Sequence, residues 1–194
     1  MVSRRWVAVA VLAAGCAGGV ATGTPHVIAR DRGARSPQIA WPPPFSPSAD
    51  PVFAHNERSI AAPCDRVWGV LVDAPRWPGW YRNARDVRLG GGVDVLGDAV
   101  TFHWTTFDIQ VDSTVFEHVR NEGASRLGWY GKAKDLDACH RWLLLPEGGG
   151  CRVITEEVVR GPAAEALRSK APAALHDGHA VWLEALDAEV ARHR

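Results

Sequence analysis

Two histidines, His176 and His179, stand three residues apart near the C-terminus, with Asp177 between them. On a helix that spacing can set two imidazoles on one face, as metal sites do. No third ligand stands near them in the sequence, so a surface pair is expected, with no metal or other cofactor. His103 and His118 have no partner in the sequence and are expected to face solvent. The four cysteines are Cys16, Cys64, Cys139 and Cys151. If Cys16 is lost or modified with the N-terminus, an odd number remains, leaving at least one thiol free or bonded to another molecule. Cys139 and Cys151 flank one hairpin, but a tight turn near Gly149 sets Cys151 opposite about Leu145, so these two are not expected to pair. The chain has no zinc-ligand spacing, nucleophile motif or nucleotide fingerprint. Gly90-Gly91-Gly92 lacks the strand–helix context of a phosphate loop.

The 22 basic and 22 acidic residues cancel, so the basic surplus of a nucleic-acid binder is missing. An apolar fraction of 46% in 194 residues allows one domain with a sizeable core. Tryptophan is abundant, nine against two tyrosines and one methionine. Its large apolar face and single N–H suit cores, interfaces and ligand cavities alike.

Residues 1–24 have the layout of a targeting segment: Arg4 and Arg5, an uncharged apolar run from Trp6 to Gly15, then small residues around Cys16. The run is short for a membrane span. Ser3-Arg4-Arg5-Trp6-Val7 partly resembles a twin-arginine signal. Ala13-Ala14-Gly15-Cys16 resembles a bacterial lipoprotein box, although Ala13 stands where that box prefers Leu. Export is the expectation. Cleavage and release, lipidation at Cys16, and retention as a membrane anchor all remain open. Residues 25–52 carry Pro25, Pro37, Pro42, Pro43, Pro44, Pro47 and Pro51, and read as an extended, disordered linker.

Residues 53–194 read as the folded domain. Phe53 to Ile60 is a short or edge strand. Pro63 and Asp65 open a helix whose wide apolar face carries Val67, Trp68, Val70, Leu71 and Val72, and a second short helix follows through Trp77 to Tyr81. Period-2 alternation then marks strands at Val100–Trp104, Ile109–Val115, Leu127–Gly131, His140–Leu144 and Val153–Val159, with a turn at Pro146–Gly150. Short connections between successive strands make the sheet antiparallel and curved. From Ala163 the period changes to 3.6, and Leu167, Ala171, Leu175, Trp182, Leu186 and Val190 form one stripe, with a break expected near Pro172 and Gly178. A long helix across a concave sheet leaves room for an apolar cavity.

Ile60-Ala61-Ala62-Pro63-Cys64-Asp65-Arg66-Val67-Trp68 and Asp73-Ala74-Pro75-Arg76-Trp77-Pro78-Gly79-Trp80 resemble the opening of SRPBCC domains, a superfamily of START-related lipid carriers, polyketide cyclases and their relatives. Leu127-Gly128-Trp129-Tyr130-Gly131, His140-Arg141-Trp142-Leu143-Leu144 and the stretch from Gly150 to Gly161 are similar to the polyketide cyclase/dehydrase-like branch. The resemblance implies an α+β helix-grip fold: a curved antiparallel sheet around a long C-terminal helix, with two short helices after the first strand and a hydrophobic pocket between sheet and helix. It sets Trp129, His140, Trp142 and Glu157 at recurring positions of that wall, facing Trp182, with Trp80 and Trp104 as further ligand-binding candidates. The pocket-forming layout, the abundant Trp and the missing catalytic motif lead to the expectation of a non-catalytic binding protein for a small hydrophobic or lipid-like molecule, and the N-terminal segment to its export, which departs from the many cytoplasmic members of the family. In the alternative of a cyclase, aromatase or dehydratase, His140 and Glu157 would polarise a carbonyl or move a proton. A third reading is an envelope module that binds a protein partner.

Overall fold

Alternating side chains in the middle of the chain produce strands that pair with their sequence neighbours. The computed structural model describes residues 26–192, so residues 1–24, expected to be a targeting segment, and Cys16 within them lie outside the described residues. The elements are α1 (His26–Ala34), β1 (Val52–Ile60), α2 (Cys64–Val72), a 3-10 helix (Ala74–Gly79), β2 (Ala84–Leu89), β3 (Thr101–Thr106), β4 (Ile109–Val119), β5 (Ser125–Ala133), β6 (Leu136–Glu147), β7 (Gly150–Arg160), α3 (Pro162–Lys170) and α4 (Ala174–Arg192). The seven strands form one antiparallel sheet in the order β1-β7-β6-β5-β4-β3-β2, curved around α4. This is the helix-grip fold, with β1 on the edge as expected. α4 has 19 residues and is about 28 Å long, enough to cross the sheet.

The concave face and α4 share the main core. Val115, Leu127, Trp129, Trp142, Leu144 and Val153 from the strands pack with Trp182, Leu186 and Val190 of α4 and with Val67, Trp68 and Leu71 of α2. Pro63 stands at the start of α2, where its fixed φ suits a helix opening. Pro75 and Pro78 hold the following turn as a 3-10 helix, which buries Trp77 completely and lets its indole donate to the Leu71 carbonyl at 3.0 Å. Pro172 lies in the break between α3 and α4, because a prolyl nitrogen cannot donate to a continuing helix. Gly178 does not interrupt α4.

β2 has no counterpart in the periodicity. It is an edge strand with mostly exposed residues, a register irregularity between Arg85 and Arg88, and Asp86 at φ 54. A second irregularity matters more. The bulge between Val115 and Glu117 of β4 shifts the alternation by one residue. It turns Glu117 toward Arg141 on the convex face and lays the His118 ring 5.0 Å from Trp68. His118 therefore does not face solvent as expected. His103 is partly exposed and bonds Asp112 at 2.8 Å.

The proline-rich segment departs from the expected disordered linker. From His26 onward it is folded against the convex face. Ile28, Trp41 and Phe45 cover Phe53 and Val158, while Ile39 and Trp41 cover Leu143, Ile154 and Leu145. The Ser36 amide donates to the buried Glu156 carboxylate at 2.6 Å, and Arg32 donates to the carbonyls of Pro47 and Asp50. Asp31 of α1, fully buried at the edge of β1, bonds His176 of α4 at 2.9 Å. Prolines deny the segment a strand ladder but not packing, and its scattered apolar residues suffice to close a sheet face that is itself apolar.

Cys64 and Cys151 form a disulfide. Ile60 pairs with Cys151 in the sheet, and the short turn after β1 brings Cys64 back over that pair. Cys151 stands opposite Pro146, one position from the expected Leu145. Cys139 points to the other face and remains a buried thiol.

Candidate functional site

One row of the sheet carries the polar groups. Trp129 of β5 pairs with His140 of β6, and His140 pairs with Glu157 of β7, so all three share the concave face. Trp142 and Thr155 form the next row on that face. His140 Nε2 and the Thr155 hydroxyl are 2.7 Å apart, and the imidazole lies between Trp129 at 4.7 Å and Trp142 at 5.3 Å between centroids. The sheet thus fixes the ring on three sides.

α4 adds a group that the sequence reading placed on the surface. His179 is buried, its Nε2 stands 3.0 Å from Glu157 Oε2, and its ring stacks on His140 at 4.7 Å. His140 Nδ1 stands 3.5 Å from the same oxygen. His176, one turn earlier, turns the other way to Asp31, so the two histidines do not act as a pair. The missed signal was available. His179 lies four residues after Leu175 and three before Trp182, inside the apolar stripe.

Beside this cluster the sheet and α4 enclose a cavity of about 300 Å³. Its wall includes Trp104, Trp129, His140, Glu157, His179 and Trp182, completed by Tyr81, Val111, Leu175 and Phe107. Trp142 and Trp80 are not on that wall. Trp142 is buried behind His140 and touches Trp182, and Trp80 lies at the margin of the core beside Tyr81. Tyr81, from the turn after the 3-10 helix, stacks on Trp182 at 4.4 Å with the rings 10° from parallel. The tryptophans therefore divide, with Trp104, Trp129 and Trp182 lining the space and Trp68, Trp77 and Trp142 filling the core behind it.

Burial, and then the neighbouring His179, hold His140 well below the ordinary imidazole range, so the ring is neutral near pH 7. Burial pushes the Tyr81 hydroxyl up to about 12, with the Glu157 charge adding to the effect, so that phenol stays protonated. Among the described residues, no Lys or Arg lines the cavity. His179 Nδ1 and Trp182 Nε1, both on cavity-lining residues, are buried without a hydrogen-bond partner among the described residues. Unsatisfied groups of this kind are rare in folded interiors and call for a polar partner. The wall can therefore hold an apolar body and hydrogen-bond a polar end, and its neutral imidazole can accept a proton.

A family model described as polyketide cyclase / dehydrase and lipid transport matches residues 54–190. The chain belongs to this family. Its SRPBCC-type fold is shared with solved structures. A hypothetical protein of Helicobacter pylori, jhp0584, aligns with 28% identity and a TM-score of 0.75 over 80% of this chain and 98% of its own. The polyketide cyclase / dehydrase fold also aligns with TTHA0849 of Thermus thermophilus, at 18% identity and TM-score 0.59 over 73% of this chain and 98% of that one. Norcoclaurine synthase of Thalictrum flavum, solved with dopamine and hydroxybenzaldehyde, aligns at 17% identity and TM-score 0.55 over 73% of this chain and 87% of its own. A search of the curated proteins found no match.

Proposed function

We propose that this member of the family binds one small, largely apolar molecule between the sheet and α4, holds its polar end at His140, Glu157 and His179, and works outside the cytoplasm. The observation that carries the reading is the cavity itself: an aromatic and aliphatic enclosure whose ionisable groups gather at one side. Its volume lies at the lower end for small-molecule sites, which suits a compact molecule better than a two-chain lipid. Location outside the cytoplasm is supported by Arg4, Arg5 and the apolar run to Gly15, and by the Cys64–Cys151 disulfide, since such bonds persist in oxidising compartments.

The test uses 1-anilinonaphthalene-8-sulfonate as probe, followed by native mass spectrometry of protein taken from its own host. Saturable binding of one probe per chain is expected, weakened tenfold or more when Leu175→Trp fills the cavity, together with a co-purifying hydrophobe. Unsaturable binding that ignores Leu175→Trp would reject the reading. Fractionation of host cells tests the location: an intact N-terminus in the cytoplasmic fraction overturns it, and the mature N-terminus distinguishes release, lipidation at Cys16 and anchoring.

A cyclase- or dehydratase-like enzyme is the second reading. It is favoured by an imidazole held beside a carboxylate in an apolar enclosure, two groups within reach of a bound carbonyl compound that could hydrogen-bond it or take a proton from it. Turnover of a poly-β-ketone by the wild-type chain, lost in both His140→Gln and Glu157→Gln, would establish it.

A further inference from the structure

We propose that His140, Glu157 and His179 form a binding site for one divalent transition-metal ion of the zinc type, with an open coordination position toward the cavity. Each residue offers one donor atom, and the three atoms lie within 4.8 Å of one another. Both imidazoles address the same Glu157 oxygen, at 3.0 Å from His179 Nε2 and 3.5 Å from His140 Nδ1. Donors about 2.0–2.2 Å from a tetrahedral zinc stand about 3.3–3.5 Å apart; the His140–Glu157 pair already has that spacing, and the His179–Glu157 pair is closer, at hydrogen-bond distance. Metal binding would draw the two imidazole donors closer together than the 4.8 Å limit of the present cluster.

The surroundings agree with that geometry. With the ion bound, a proton on His140 Nε2 could be donated to the Thr155 hydroxyl 2.7 Å away, which would leave the Nδ1 lone pair for the metal. Metal-binding histidines are oriented by the same kind of outer hydrogen bond. Adjacent strands supply two donors as a cross-strand pair, and α4 supplies the third, so rigid elements hold the set. Among the described residues the Glu157 charge meets no Lys or Arg on the cavity wall, and a divalent cation would supply positive charge there. Two imidazoles with one carboxylate suit zinc and its neighbours in the transition series, whereas magnesium and calcium favour oxygen donors. Three protein ligands leave a position for an oxygen of water or of a bound molecule.

The experiment uses the full chain, made without a histidine tag and stripped with EDTA. Titration with Zn²⁺, and with Co²⁺ followed in the visible range, should show one tight equivalent per chain with the bands of a four- or five-coordinate cobalt. Affinity should fall at least tenfold in His140→Gln, Glu157→Gln and His179→Gln, fall similarly in Thr155→Val, and stay unchanged in His176→Ala. The absence of a tight equivalent, or its survival in the three ligand variants, would overturn the site. If those variants do not fold by circular dichroism, anomalous scattering from zinc-soaked wild-type crystals decides. A peak bonded to the three donors supports the site, and a peak elsewhere or none rejects it. Neither outcome depends on probe binding, so this site and the apolar-ligand reading can fail separately.

Discussion

His179 of α4 reaches Glu157 of β7 across 3.0 Å, and this contact ties the long helix to the sheet beside the cavity. Neither residue is free to leave: His179 is buried and the Glu157 side chain is only 14% exposed. Removing one partner strands the other, which costs about 1–3 kcal/mol. In EDTA, His179→Leu and Glu157→Gln should each destabilise the chain, and the double variant should lose less than their sum. A coupling of about 0.5–3 kcal/mol in urea unfolding is expected. Strict additivity would mean that the contact contributes nothing to stability.

Phe107 stands at the tip of the β3–β4 hairpin, where Phe107 and Asp108 both have positive φ, at 49° and 63°. Its ring lies against Gly178 so closely that a Cβ there would meet Phe107 Cζ at 2.2 Å. The ring also lines the cavity. Gly178→Ala should push Phe107 aside, since the exposed tip of a hairpin yields before the helix does. Dissociation of the naphthalene probe should then accelerate in stopped flow, with little change in thermal midpoint. An unchanged rate would show that Phe107 does not guard the cavity.

The Cys64–Cys151 bond closes a loop of 87 residues between the start of α2 and the start of β7. Cross-links over such spans stabilise by about 2–4 kcal/mol. Dithiothreitol, or the Cys64→Ala/Cys151→Ala double variant, should lower the unfolding midpoint by several degrees. Cys139 should stay unreactive toward a thiol reagent in the folded state, because burial pushes its pKa up to about 12.

Tyr81 sets an alkaline limit. Its hydroxyl ionises at about 12 in the folded chain, against an ordinary 10.0. The folded state therefore keeps a proton that the unfolded state releases. The Tyr81 contribution is fully present below pH 10 and is lost as pH rises from 10 toward 12. The loss approaches about 2–3 kcal/mol at the upper end. Tyr81→Phe should flatten the fall in urea stability between pH 9.5 and about 11.5, and a fall of equal slope in the variant would assign it to other groups.

Local pattern carried much of this reading and failed where the deciding contact was distant. The strands from Thr101 to Arg160 and the order sheet-then-helix were legible because side-chain period reports which residues share a face. The row of Trp129, His140 and Glu157 was legible through family resemblance, and the pairing register confirms it. The outward assignment of His118 failed at a bulge, because one inserted residue reverses every later side chain. His179 has no partner near it in sequence, and its partners Glu157 and His140 come from strands that only packing brings to α4.

The sequence by itself determined the run of antiparallel strands, the long final helix and the abundance of aromatic side chains, since these follow from local period and composition; the helix-grip architecture and the concave row were legible through family resemblance. Only the tertiary structure decided that residues 26–51 close the convex face, that Cys64 meets Cys151, and that Trp104, Trp129 and Trp182 line a cavity while Trp142 fills the core. It also brought His179 to His140 and Glu157, joining one helix to two strands. Period sets the face on which a side chain lies, whereas the partner it meets across the core depends on how separate elements pack.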